Sequence, residues 1–199
     1  MLSHNEYRES VDIDFLVSDR KGYQKLRNLL TSEIGIQAIA RKGMELASVR
    51  EIRADQYGIR TMLQVAKTKI KFEVILEARI ELETPDQENR ICGIATLSPL
   101  DMAASKLLAN SDRWSDDSVF SRDLIDLAML DAPKPLLARA IKKASDAYGQ
   151  NITRDLSKSI LRLKERTGRL DECMSALKMD NVPKALLWRR IRKLVSPST

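Results

Sequence analysis

The residues best placed to do chemistry in this 199-residue chain are two carboxylates, Asp12 and Asp14, in the run Val11-Asp12-Ile13-Asp14-Phe15-Leu16-Val17. Val11, Ile13, Phe15 and Val17 alternate with the others, the period-2 pattern of a half-buried strand. On such a strand Asp12 and Asp14 emerge on one face, roughly 6.5–7 Å apart at Cα. Their charges repel, and a divalent cation relieves the repulsion. Mg2+ suits this pair, since it takes oxygen ligands, typically one or two protein carboxylates plus substrate phosphates; Mn2+ accepts the same donors.

Three further groups fit phosphate chemistry. Around Phe72 the residues Ile70, Phe72, Val74 and Leu76 form one strand face, and Lys69, Lys71, Glu73, Ile75 and Glu77 form the other. If Phe72 and Val74 share a core with Ile13 and Phe15, Glu73 lies on the face of Asp12 and Asp14 as a third carboxylate. The alternative is an ordinary solvent-facing strand glutamate. Lys106 and Arg113 are seven apart and share a face of one continued helix. A lysine and an arginine aimed at one point can hold a triphosphate and spread its charge in the transition state. Asp123 and Asp126, three apart on the next helix, are set to pair with those cations and fix their rotamers. The alternative is a purely structural salt-bridge set.

These residues need a sheet and then helices to position them. Helical spacing predicts a helix over 20–34, and alternation predicts strands over 46–53, 57–66, 69–78 and 91–97, with a tight turn at 67–68. Ser98-Pro99 reads as a helix start. From there the pattern is helical, over 99–110, 121–130, 135–148, 153–166, 170–178 and 183–195. The expected fold class is α+β: a small mixed β-sheet core with flanking helices over 1–97, then an all-helical half over 98–199.

Composition narrows the functions. Hydrophobic residues make up 43% and charged residues 31%, so the chain can bury a core. No long uncharged apolar run is present, which predicts no membrane span, and residues 1–8 carry no secretory apolar region, which predicts a cytoplasmic protein. A single histidine, His4, argues against zinc enzymes and Ser-His-Asp hydrolases. Cys92 and Cys173 read as two thiols, not a metal site. Residues 1–95 balance their charges, so the whole net charge of +6 sits in residues 96–199. That suits an anionic partner such as RNA, or equally a set of solvated helix faces. The basic, amphipathic last helix is suited to docking a partner or RNA, or to packing on its own domain.

The string Arg8-Glu9-Ser10-Val11-Asp12-Ile13-Asp14-Phe15, followed by Lys106 and Arg113 and then by Arg122-Asp123-Leu124-Ile125-Asp126-Leu127, resembles the AbiEii/AbiGii-type nucleotidyltransferase toxins of the DNA polymerase β-like superfamily. The resemblance covers about residues 7–130. It implies a divalent metal on Asp12 and Asp14, Arg8 and Ser10 beside the phosphates, and Lys106 and Arg113 in nucleotide binding and catalysis, with Asp123 and Asp126 at the edge. Glu73 would match the superfamily's third carboxylate. The implied substrate is a nucleoside triphosphate, the acceptor in some relatives is tRNA, and the implied partner is an antitoxin protein. The family pattern also has a Gly-Gly-Thr-Ala-Leu-type segment on a helix upstream of the first aspartate. With Asp12 this close to Met1 that segment falls before residue 1, so the expectation is either a start codon that lies further upstream or a shortened chain that holds a triphosphate poorly. The other function carried forward is a catalytically inactive module of the same fold that binds RNA or a partner protein.

Overall fold

The computed structural model describes residues 6–9, 12–91 and 93–195. The fold is mixed α+β, with seven α-helices among the described residues and a mixed sheet. The chain divides into two compact units, Ser10–Glu81 and a second made of Met1–Glu9 with Leu82–Thr199.

The first unit is built on a sheet. Its elements are β1 (Asp12–Val17), α1 (Arg20–Leu30), a 3-10 turn (Gly35–Ile39), β2 (Ala47–Ser48), β3 (Arg53–Ala54), β4 (Gly58–Val65) and β5 (Thr68–Leu76). The strand order is β1-β5-β4-β2, with β3 also paired to β4. β1 runs parallel to β5 and the other pairs are antiparallel. Alternation decides which face is inside: Ile59 and Leu63 of β4 and Phe72 and Val74 of β5 are buried, and they pack with Tyr23, Leu30 and Ile36. Phe15 and Val17 join this core from β1, with the Phe15 and Phe72 rings 5.7 Å apart.

Three expected elements and one expected core residue in this unit differ in detail. α1 ends at Leu30, not at residue 34. The Thr31 and Ser32 hydroxyls donate to the carbonyls of Arg27 and Leu29, which closes the last turn, and Gly35 then takes φ +57°. The hairpin turn lies at Ala66-Lys67, one residue before its predicted place, because Val65 pairs with Thr68. Only that register sets Leu63 opposite Ile70 and Thr61 opposite Phe72; a slip of one would turn the core face outward. The strand expected over 46–53 is two short strands, β2 and β3. Between them the Arg50 carbonyl accepts the Thr61 hydroxyl at 2.9 Å in place of a ladder bond. Ile13, expected in the core, is 40% exposed, because β1 is the edge strand and packing begins at Phe15.

The second unit is helical. After a small sheet of β6 (Arg90–Ile91) and β7 (Ile94–Ala95) come α2 (Pro99–Arg113), a 3-10 turn (Asp117–Val119), α3 (Arg122–Met129), α4 (Lys134–Tyr148), α5 (Asn151–Glu165), α6 (Arg169–Ala176) and α7 (Lys184–Lys193). The strand expected over 91–97 is therefore a tight hairpin; Gly93 takes φ +79° at its turn, a conformation that disfavours other residues. Cys92 lies outside the described residues. Ser98 caps α2 through the Asp101 N–H, and Pro99 follows at the first helical position. α2 packs on α3, α4 and α5. Ala103, Ala104, Leu107 and Leu108 of α2 are buried, as are Leu124, Ile125, Leu127 and Ala128 of α3. α7 lies on α3 with Leu187 and Ile191 fully buried, so its apolar stripe packs within its own unit. Cys173 is a free, buried thiol.

Candidate functional site

The predicted site residues fall into two groups, one in each unit. In the sheet unit, β1 pairs with β5 so that Asp12 meets Lys71 and Asp14 meets Glu73. Partners in register point to the same face of a sheet. Ile13 and Phe15, opposite Phe72 and Val74, take the other face. Asp12, Asp14 and Glu73 are thus gathered on one surface, which the apolar alternation of two strands dictates. Glu73 is half-buried and paired with two cations, Arg60 Nε at 3.2 Å and Lys71 Nζ at 2.8 Å. Arg60 reaches it because Arg60 is the β4 residue opposite Glu73. Two carboxylates at alternate strand positions, with a third in register, form a set of hard oxygen donors that fits Mg2+ or Mn2+. Among the described residues no group of three or more acidic, histidine or thiol side chains is tight enough to be a preformed cage. A cation held by two carboxylates and completed by substrate phosphates needs none.

In the helical unit the expected pairing of Lys106 and Arg113 with Asp123 and Asp126 is present. Arg113 forks onto Asp123, with Nε 2.6 Å from Oδ2 and Nη2 2.9 Å from Oδ1. Lys106 Nζ lies 2.6 Å from Asp126 Oδ2 and 3.7 Å from Asp123 Oδ1. Arg8 forks onto Asp126 from the other end of the chain, through Nε at 2.7 Å and Nη2 at 2.8 Å. The Tyr7 hydroxyl donates to the same Asp126 Oδ1 at 2.8 Å. Ser10 lies outside the described residues.

Local structure explains this arrangement. Lys106 and Arg113 stand two turns apart on α2, and Asp123 and Asp126 stand one turn apart on α3. The link between the helices passes through Phe120 and Ser121, both at left-handed φ (51° and 52°). Asp117 holds that link by accepting from Arg166 at 2.7 Å and pairing with Arg162 at 3.0 Å and Arg169 at 3.1 Å. Arg169 also lies over the Phe120 ring. With the turn so held, α3 presents its two aspartates to α2.

The electrostatics follow from burial and partners. Burial alone would raise the Asp126 carboxyl. The Arg8 hydrogen bond, then the Lys106 and Arg8 charges, outweigh it and hold the group well below the usual carboxylate range. Burial, then the Asp126 charge, push the Tyr7 phenol far above its ordinary value, so Tyr7 stays a donor. The hydrogen bond to Asp123 raises Arg113. Three cations against two carboxylates leave one positive charge in excess. Lys106 and Arg113, 31% and 35% exposed, are its solvent-facing members.

Sequence reasoning left out three residues of these groups. Tyr7 carries no periodic signal, and its partner is 119 positions away. Lys71 shares the Glu73 face by parity within its own strand, while Arg60 is placed only by the hairpin register.

Residues 1–195 match the model of one protein family, described as the nucleotidyl transferase AbiEii toxin of a type IV TA system. No curated protein and no solved structure matches the chain.

Proposed function

Because the chain belongs to the AbiEii nucleotidyl transferase toxin family of type IV toxin–antitoxin systems, we propose that it moves a nucleotide from a nucleoside triphosphate to an acceptor hydroxyl, with RNA such as tRNA as the acceptor class. The observation that carries this reading is the placement of Asp12, Asp14 and Glu73 on one sheet face, with Asp14 and Glu73 in register. Asp12 and Asp14 would hold Mg2+ or Mn2+. When bound, such an ion supplies charge neutralisation at the phosphates and lowers the pKa of a coordinated hydroxyl. In the reaction the acceptor oxygen forms a bond to the α-phosphorus, the bond from that phosphorus to the bridging oxygen breaks, and pyrophosphate leaves. The hydroxyl proton passes to Asp14 or to Glu73, the two carboxylates in register. Lys106 and Arg113 offset negative charge on the phosphates, and Arg8 takes part through the carboxylate it shares with Lys106. Asp123 and Asp126 fix the rotamers of these cations. Ser10 belongs with the phosphate contacts.

The toxin is active in the cytoplasm and is held in check by a cognate antitoxin protein. No helix among the described residues is long and apolar enough to cross a membrane.

The test is transfer of radiolabel from each of the four α-labelled nucleoside triphosphates to total RNA, with and without Mg2+ or Mn2+. Asp12→Asn and Asp14→Asn are expected to abolish labelling. Undiminished labelling in both variants sinks the assignment. No labelling by the unaltered chain, with RNA still bound, points instead to a catalytically inactive binding module.

A further inference from the structure

The sheet face that carries the carboxylates continues into a basic cleft. One cross-strand row runs through four strands: Asp14 of β1 is opposite Glu73 of β5, Glu73 is opposite Arg60 of β4, and Arg60 is opposite Arg53 of β3. Lys71 stands beside the row, opposite Asp12. A cavity of about 540 Å3 opens over this row from Glu73 to Arg53, with Arg50, Arg53, Arg60 and Lys71 set against Glu51 and Glu73 in its walls, four cations to two carboxylates. Arg60 and Lys71 are paired with Glu73. Arg50 and Arg53 are exposed and make no side-chain hydrogen bond or ion pair among the described residues. Like charges crowded into one concavity repel, and the low-dielectric wall sharpens their field toward an anion.

The geometry points to a single-stranded polynucleotide as the occupant, gripped by its phosphates, and we propose that this cleft guides the acceptor strand toward Asp14. The proposal rests on the nucleotidyl-transfer reading and adds where the acceptor strand is held and the side from which it enters. Three features select this ligand. Arg53 lies three strand spacings from Asp14, about 14 Å. A nucleoside triphosphate with its phosphates at Asp14 has no second anionic group to offer there, whereas a chain with a phosphate at every sugar does. A cavity of about 540 Å3 has room for a short stretch of one strand. Its walls contain no aromatic ring on which a base could stack. The grip is therefore on the backbone and tolerant of sequence, and the terminal hydroxyl is presented at the Glu73 end.

The experiment measures fluorescence anisotropy of a labelled mixed-sequence RNA 12-mer against salt concentration. It uses the full chain, the double variant Arg50→Gln/Arg53→Gln, the double variant Arg50→Lys/Arg53→Lys, and Asp14→Asn. The glutamine pair is expected to weaken RNA binding about tenfold or more and to reduce the log–log salt slope by about 1.4, two phosphate contacts at ~0.7 each. The lysine pair should restore most of the slope. Asp14→Asn should lose labelling and keep RNA binding, so a failure of the catalytic reading and a failure of the cleft show separately. RNA affinity and slope unchanged in the glutamine pair overturn the proposal. So does a glutamine pair that loses nucleotide binding, which would make the cleft part of the triphosphate site. Preferential binding of a labelled polyglutamate over the RNA also overturns it, because the cleft would then fit an acidic protein segment.

Discussion

Arg8 holds Asp126 with two parallel bonds, Nε to Oδ1 at 2.7 Å and Nη2 to Oδ2 at 2.8 Å, across 118 positions of sequence. Tyr7 and Lys106 complete the set, so a nearly buried carboxylate is surrounded by three donors. Removing the carboxylate leaves Arg8 without its counter-charge and Lys106 with only the longer contact to Asp123. Asp126→Ala is therefore expected to cost roughly 3–5 kcal/mol, the usual penalty for breaking a buried ion pair by deleting one partner. Urea unfolding followed by circular dichroism measures it. A loss under 1 kcal/mol would mean the pair is not desolvated in solution.

The same pair makes stability depend on acid. The folded pKa of Asp126 is depressed, so the unfolded chain binds its proton more readily. The associated stability is fully present above the unfolded value of about 3.9 and is lost as pH falls toward the folded value. Between pH 5 and pH 2, Asp126→Asn should show a shallower fall in stability than the parent chain. Parallel curves in that window would remove Asp126 as a source of the dependence.

Tyr7→Phe deletes one donor and leaves Arg8 and Lys106 in place. The expected loss is about 1–2 kcal/mol, with catalytic rate little changed, because the remaining donors still satisfy Asp126. Thermal unfolding and steady-state labelling, measured on the same preparation, separate the two effects. A large drop in turnover with intact stability would move Tyr7 from the structural set into the reaction.

Asp12 and Asp14 behave in the opposite way. Two like charges on one strand face repel when no cation is bound, so Asp12→Asn should leave stability within about 0.5 kcal/mol in EDTA, and Asp14→Asn is measured beside it. Transfer activity should fall by at least about 10²–10³, as for the loss of one preorganised electrostatic contact. Added Mg2+ should raise the melting temperature of the parent chain and not of the variants. Equal Mg2+ shifts in all three would place the ion elsewhere.

Ala66 sits at φ +51° in the hairpin turn. A Cβ in the left-handed region costs about 1 kcal/mol, so Ala66→Gly should stabilise the β4–β5 hairpin by up to that amount. The melting temperature reports it. A lower melting temperature would show that the turn takes another conformation in solution.

The local pattern of the chain determined which segments form elements and which way their residues face. The alternation in β1, β4 and β5 and the helical spacing of α2 to α7 come from steric periodicity within a few residues. For that reason Asp12 and Asp14 on one face, and Lys106 and Arg113 along one helix, were legible before any fold was known. The helix end at Leu30, the split of β2 from β3 and the hairpin at Gly93 were not, since each depends on where a single hydroxyl, carbonyl or glycine finds its place. Only the tertiary structure decided which partners meet. Strand register lines up Asp14, Glu73, Arg60 and Arg53 from four strands, and the return of the chain brings Tyr7 and Arg8 to Asp126. Such pairings depend on the packing of whole elements, and periodicity, which repeats over a few residues, holds no information about a partner more than a hundred positions away.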